Sequence, residues 1–199
     1  MNRYECFEFL APLIKDELIV GSLSGQRVEW GHLSQHEGNL LVACMGGALG
    51  IGIGLALVLP NRKVLVFESD GSMLLSLYNL PTLGSLQPSN LAVFVFDNEI
   101  YSGTRISEPT ATAGKTDLAA VARDCGIAQS TTVRDLNSFQ REAKAALEQN
   151  SLRFVVCKVD QTTGHRQIRR SNEDLSEHKY RFVRYLERTE SKEIFRGRG

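Results

Sequence analysis

Asp70-Gly71-Ser72 and, 25 residues past Ser72, Asp97-Asn98 are the residues of this chain best able to do chemistry. Each group closes a hydrophobic run, 64–67 and 91–96. An aspartate carboxylate and an asparagine amide are hard oxygen donors, and carried at the tips of two neighbouring strands they could hold a divalent ion that in turn neutralises a diphosphate. Taken alone, each group reads as an ordinary turn. The spacing and the matched strand contexts together point to an ion site.

Alternating strand and helix patterns must position these donors. Apolar residues recur at helical spacing over 5–17, and 18–20 reads as a short strand. A helix is expected over 27–35, a strand over 40–44, a helix over 48–59, a strand over 63–67, a helix over 73–86 and a strand over 91–96. A polar loop covers 97–115. Thr116 is expected to cap a helix ending at Cys125, and Gly126 to stop it. An extended stretch over 127–133, an amphipathic helix over 136–149 and a strand over 154–159 follow. Residues 160–177 read as a long loop, 179–188 as a helix and 194–199 as a frayed tail. This order predicts an α/β fold, a doubly wound, mainly parallel sheet with helices on both faces, forming one domain over residues 1–199. In such sheets ligands bind beyond the carboxyl ends of the strands. Residues 21–25, 43–47, 70–72 and 97–102 all fall there, with Ser22, Ser24 and Ser72 offering hydroxyls and the glycines close backbone approach to an anion. These four pieces carry no lysine or arginine, so a diphosphate bound there would depend on a metal for neutralisation.

Bulk properties exclude several classes. Lys+Arg and Asp+Glu are both 23, so no global field selects nucleic acid or an anionic membrane. The uncharged stretch 38–61 is long enough to span a bilayer, yet Gly46, Gly47, Gly50, Gly52, Gly54 and Pro60 divide it into a strand, a turn and a helix too short to cross. Cys6, Cys44, Cys125 and Cys157 are scattered and read as reduced thiols, and residues 1–8 show no apolar leader, so a cytoplasmic protein is expected. His32 and His36 sit four apart without a third ligand and read as a solvated helix face. Gly46, Gly50 and Gly54 fall at i, i+4, i+8; close helix packing is the expected use of the last two. A dinucleotide fingerprint fails, because the third glycine position is Leu55 or Leu57.

The paired motif resembles that of thiamine-diphosphate enzymes of the pyruvate-decarboxylase type, in which Gly-Asp-Gly is followed, after a spacer of similar length, by Asn-Asn. Here it reads Ser69-Asp70-Gly71 and Asp97-Asn98. Met45-Gly46-Gly47-Ala48-Leu49-Gly50, with Pro60 ten residues before Asp70, fits the same pattern without gaps. The resemblance covers roughly residues 18–159 and implies the thiamine-diphosphate-binding fold. It implies Mg2+ held by Asp70, the Asn98 side chain and the Ile100 carbonyl, and a diphosphate at Gly71 and Ser72. It also implies an aminopyrimidine at 43–47, with the Ala43 carbonyl and Met45 in contact and Gly46 beside them. Tyr101 joins the cofactor contacts, followed by Ser102 where the family has glycine. Ser69 and Asp97 are the two departures within the motif.

Such enzymes use a glutamate on a separate pyrimidine-binding domain. A chain of 199 residues has room for one of the two domains, so the glutamate is expected from a partner chain, an α-type subunit, in a hetero-oligomer. The resemblance is nearest to β-type subunits of sulfopyruvate and phosphonopyruvate decarboxylases. It implies non-oxidative decarboxylation of a 2-oxo acid, with Arg105, Arg166, Arg169 and Arg170 as candidates for an anionic substrate group. Two alternatives stay open: an acyloin- or acetolactate-type carbon–carbon lyase or ligase subunit, and a cofactor-binding homologue without turnover.

Overall fold

The computed structural model describes residues 1–23, 25–101, 107–161, 168 and 175–194. Six parallel strands form one sheet in the order β2-β1-β3-β4-β8-β7: β1 (Leu18–Gly21), β2 (Asn39–Leu41), β3 (Val64–Ser69), β4 (Leu91–Asp97), β7 (Ser130–Val133) and β8 (Arg153–Lys158). Two short strands, β5 (Ile100–Tyr101) and β6 (Glu108–Pro109), pair antiparallel after β4. β3, β4 and β8 are apolar runs because both faces of a covered parallel strand are buried.

Alternate strand residues feed two cores. Val64, Val66, Val93 and Val95 face α3 (Gly47–Val58), α5 (Asn79–Leu86), α6 (Leu118–Asp124) and α8 (Leu175–Glu190). Leu65, Phe67, Phe94 and Phe96 face α1 (Arg3–Leu10), α2 (Gly25–Leu33) and α7 (Leu136–Glu148). On the second face Phe67 meets Phe7, Trp30, Phe94 and Phe96 at ring separations of 4.9–6.2 Å, mostly edge-on, the preferred aromatic geometry. Arg62 ties α8 down through the Tyr185 hydroxyl at 2.9 Å.

Several expectations shift. The helix expected over 73–86 is two helices, α4 (Asp70–Leu75) and α5, separated at 76–78, so Asp70 opens a helix instead of sitting in a plain turn. β2 ends at Leu41, leaving 42–46 as connecting chain. The cap of α6 is Asp117 and not Thr116: its Oδ1 accepts from the N–H groups of both Ala119 and Ala120, and its negative charge suits the positive end of the helix dipole. Close helix packing falls on Gly52, where a Cβ would lie 2.2 Å from Val66 Cγ2; Gly54 has nothing within 4 Å and Gly50 only the Asn79 amide at 3.9 Å. Among the described residues no helix is long and apolar enough to cross a membrane.

Candidate metal and cofactor site

β3 and β4 are hydrogen-bonded neighbours, with Ser69 paired to Phe96 in register, so the two motifs meet at one edge of the sheet. Ser69 is extended and its Oγ accepts from the Ser72 N–H at 3.3 Å, capping α4. The serine that departs from the motif glycine therefore has a local role that glycine cannot fill. Asp70, 0% exposed, follows as the first residue of the helix. Its Oδ2 accepts from Thr110 Oγ1 at 2.6 Å and Thr112 Oγ1 at 3.3 Å. Burial pushes the Asp70 carboxyl above its usual range; the Thr110 hydrogen bond opposes this and the negative charge of Asp97 adds to it.

The terminus of the Asn98 amide lies 3.3 Å from Asp70 Oδ1 and 3.1 Å from the Ile100 carbonyl oxygen. Two acceptors at such distances want either the amide nitrogen or, with the amide oxygen turned in, a cation among three oxygens. The edge of an octahedron with ligands at about 2.1 Å is about 3.0 Å, so the spacing of these atoms suits a small divalent ion. Glu99, at φ +65°, makes the sharp turn that returns the Ile100 carbonyl toward Asn98. Among the described residues no three His, Cys, Asp or Glu side chains group to hold a metal; the candidate set is one carboxylate, one amide and one main-chain carbonyl.

The loops beside this set are stitched together. The Gly46 N–H donates to Ser72 Oγ at 2.8 Å, joining the start of α3 to α4. Gly46 adopts φ +75°, a conformation that suits glycine at this cap. A Cβ on Gly71 would lie 2.4 Å from Tyr101 Cε1, so the glycine lets the Tyr101 ring lie against the helix start. Ser22, also wholly buried, accepts from Gln26 Nε2 at 2.6 Å. The Ser22 and Ser72 hydroxyls are thus engaged inside the protein. Ala43 and Cys44 are exposed, and Met45 is 40% exposed, so its side chain is not part of the core. Ser24, Ser102, Arg105, Arg166, Arg169 and Arg170 lie outside the described residues. His36 accepts from the Gly38 N–H and stacks edge-on with Tyr185, away from this site.

Four participants went unseen in the sequence: Thr110, Thr112, Lys158 and Glu68. Asp97, the second departure, is buried; its Oδ1 accepts from Thr112 Oγ1 at 2.8 Å and its Oδ2 pairs with Lys158 Nζ at 2.7 Å. Lys158 also meets Glu99 Oε1 at 2.7 Å. Burial works against the Lys158 ammonium, but its hydrogen bonds to Asp97 and Glu99 outweigh this and hold its pKa above the ordinary value. Glu68, buried at the end of β3, accepts from the Leu49 N–H at 3.1 Å through Oε1, while Oε2 lacks a partner in bonding geometry. Burial pushes its carboxyl up, against the pull of the Ser72 and Ser22 hydroxyls and the Leu49 and Ala48 N–H groups. A charged residue set directly on the end of the apolar run 64–67, ahead of the Ser69-Asp70-Gly71 motif, was the available signal for Glu68. Lys158 gave none, because its neighbour Asp97 depends on β8 lying beside β4.

Oxygen donors and a glycine-bearing helix start are gathered at the carboxyl end of a parallel sheet covered on both faces, the place where α/β domains bind their ligands. The chain belongs to the thiamine pyrophosphate enzymes: their C-terminal TPP binding domain model matches residues 24–158. It is 33% identical over 144 residues to the sulfopyruvate decarboxylase subunit beta of Methanocaldococcus jannaschii, covering 72% of this chain and 75% of that one. It is 36% identical over 118 residues to the phosphonopyruvate decarboxylase of Streptomyces viridochromogenes, covering 59% of this chain and 29% of that one. Its fold is similar to that of the benzoylformate decarboxylase of Polynucleobacter necessarius, with a TM-score of 0.66 and 17% identity, over 82% of this chain. The chain spans about a third of that structure, 34%.

Proposed function

We propose that this chain is the thiamine-diphosphate- and Mg2+-binding subunit of a two-chain 2-oxo acid decarboxylase in the cytoplasm, acting on a 3-sulfo- or 3-phosphonopyruvate-like substrate. The observation that carries this reading is the Asn98 amide terminus set 3.3 Å from Asp70 Oδ1 and 3.1 Å from the Ile100 carbonyl oxygen, in a chain whose relatives are named decarboxylases. Asp70, Asn98 and Ile100 would hold the metal. The start of α4 at Gly71 would take the diphosphate, with Ser72, its N–H and hydroxyl already engaged by Ser69 and Gly46, holding that helix start in shape, and residues 43–47 would take the aminopyrimidine. Bound thiamine diphosphate would supply the carbon nucleophile and the electron sink for loss of CO2.

The chain's own part is to bind, orient and exclude water. Ser69 and Thr110 hold the Asp70 carboxylate and the helix start in place before any ligand arrives, so little ordering is left to binding. Met45 offers an apolar side chain at the rim of the site. Leu75, whose Cβ lies beside Gly46, is 57% exposed, and Tyr78, three residues on, is 73% exposed, which supports a covering partner that also brings the activating glutamate. The capping role of Ser69 and the pairing of Asp97 favour a working site over a cofactor-binding homologue without turnover.

The test is CO2 release from 3-sulfopyruvate, 3-phosphonopyruvate and a panel of simpler 2-oxo acids. The chain alone should give negligible turnover, and addition of the pyrimidine-binding chain that co-purifies with it should restore it. Full activity from the isolated chain would refute the two-chain reading.

A further inference from the structure

Asp97 puts a second buried carboxylate beside Asp70, close enough for its charge to raise the Asp70 pKa. The two acids share hydroxyls: Thr110 Oγ1 lies 2.6 Å from Asp70 Oδ2 and 2.8 Å from Thr112 Oγ1, which lies 2.8 Å from Asp97 Oδ1. The far oxygen of Asp97 is turned away from this chain of hydroxyls and meets Lys158 Nζ at 2.7 Å. Asp97 and Lys158 are partners in the β4–β8 register, so the sheet itself fixes the pair. The Lys158 side chain is 19% exposed and the Asp97 side chain 1%, so the attraction is only partly screened by water.

We propose that Lys158 is a positioning residue that cancels the charge of Asp97, so that the candidate metal site presents one negative side chain, Asp70, while Asp97 serves as an uncharged-in-effect anchor for Thr112 and Thr110. This inference rests on the metal-binding reading above. Its physical content is a matched pair of opposite charges outside the ligand set. Removing the acid leaves the Lys158 ammonium paired only with the half-exposed Glu99, a net gain of one positive charge beside the site that opposes a cation. Removing the lysine leaves an unmatched carboxylate that attracts one. Removing both restores the balance. Glu99, the other partner of Lys158, is 41% exposed in its side chain, and water replaces that contact at little cost.

The test is titration of Mn2+ into the full chain at saturating thiamine diphosphate, with free Mn2+ followed by electron paramagnetic resonance. Asp97→Asn should weaken Mn2+ binding on the order of tenfold, Lys158→Met should tighten it by a similar factor, and the double variant should return to within about twofold of wild type. Damage to packing would weaken binding in every variant, so the opposite signs separate charge balance from structure. Should Lys158→Met fail to fold with Asp97 left unpaired, Asp97→Asn and the double variant decide the matter: recovery in the double supports the proposal. A double variant as weak as Asp97→Asn, or an Asp97→Asn chain that binds as wild type does, overturns it. Absence of Mn2+ binding by wild type would instead count against the metal-site reading itself.

Discussion

Glu68 shows at the level of one residue how the site is organised from behind. Its carboxylate takes the Leu49 N–H at the start of α3 and sits close to Ser72 on α4, at the cost of a buried oxygen without a partner. In the folded chain the carboxyl holds its proton more tightly than the ordinary glutamate value of 4.5. Its contribution to stability is therefore full below that value and is lost as pH rises through the raised native pKa. Glu68→Gln keeps the acceptor for Leu49 and removes the ionisation. Without ligands, the melting temperature of this variant at about pH 8 should exceed that of wild type by about 2–4 °C, and the gain should disappear near pH 4. Thermal unfolding across that pH range checks it; a constant difference at all pH values would contradict it. At this scale the sequence was most informative where residue type and spacing coincide, as at Asp70 and Asn98. It was silent on Thr110, Thr112 and Lys158, whose roles arise from neighbours 15 to 61 positions away that only the folded register brings near.

Among the elements, α3 shows what periodicity can and cannot reveal. Its uncharged sequence announces a buried helix, but a pattern nearly apolar on all sides does not say which glycines face the sheet. The packing glycine is Gly52, pressed on Val66, and Gly54 faces open space. Two substitutions two residues apart should thus have opposite signs. Gly52→Ala should cost about 1–3 kcal/mol through forced overlap with β3, whereas Gly54→Ala should stabilise by up to about 1 kcal/mol through helix propensity. Urea unfolding of both variants measures this, and equal effects would disprove the assignment of faces. The split between α4 and α5 was hidden for a related reason: the apolar spacing runs on through 76–78, while the Ser76 hydroxyl turns back to the carbonyls of Ser72 and Met73. The strands were easier to read, because continuous Val, Leu and Phe runs in β3, β4 and β8 have one stable use in a sheet covered on both sides.

For the whole molecule, alternation of strands and helices made the parallel sheet legible, but strand order is a tertiary fact. With β1 beside β3, the connection from β1 runs to β2 on one side and that from β3 to β4 on the other, and the crevice so formed opens at the carboxyl ends of β1 and β3. Every piece of the candidate site follows from that reversal: the 43–47 segment comes from one side of it, and Asp70, Asn98 and Ile100 from the other. On the function proposed above, these pieces form one metal-dependent diphosphate site. Calorimetric titration of thiamine diphosphate into the chain, with and without Mg2+, tests it most directly. Saturable binding that requires Mg2+ and vanishes in Asp70→Ala is the predicted result; no binding by wild type even with its partner chain present, or equal binding by Asp70→Ala, would contradict it.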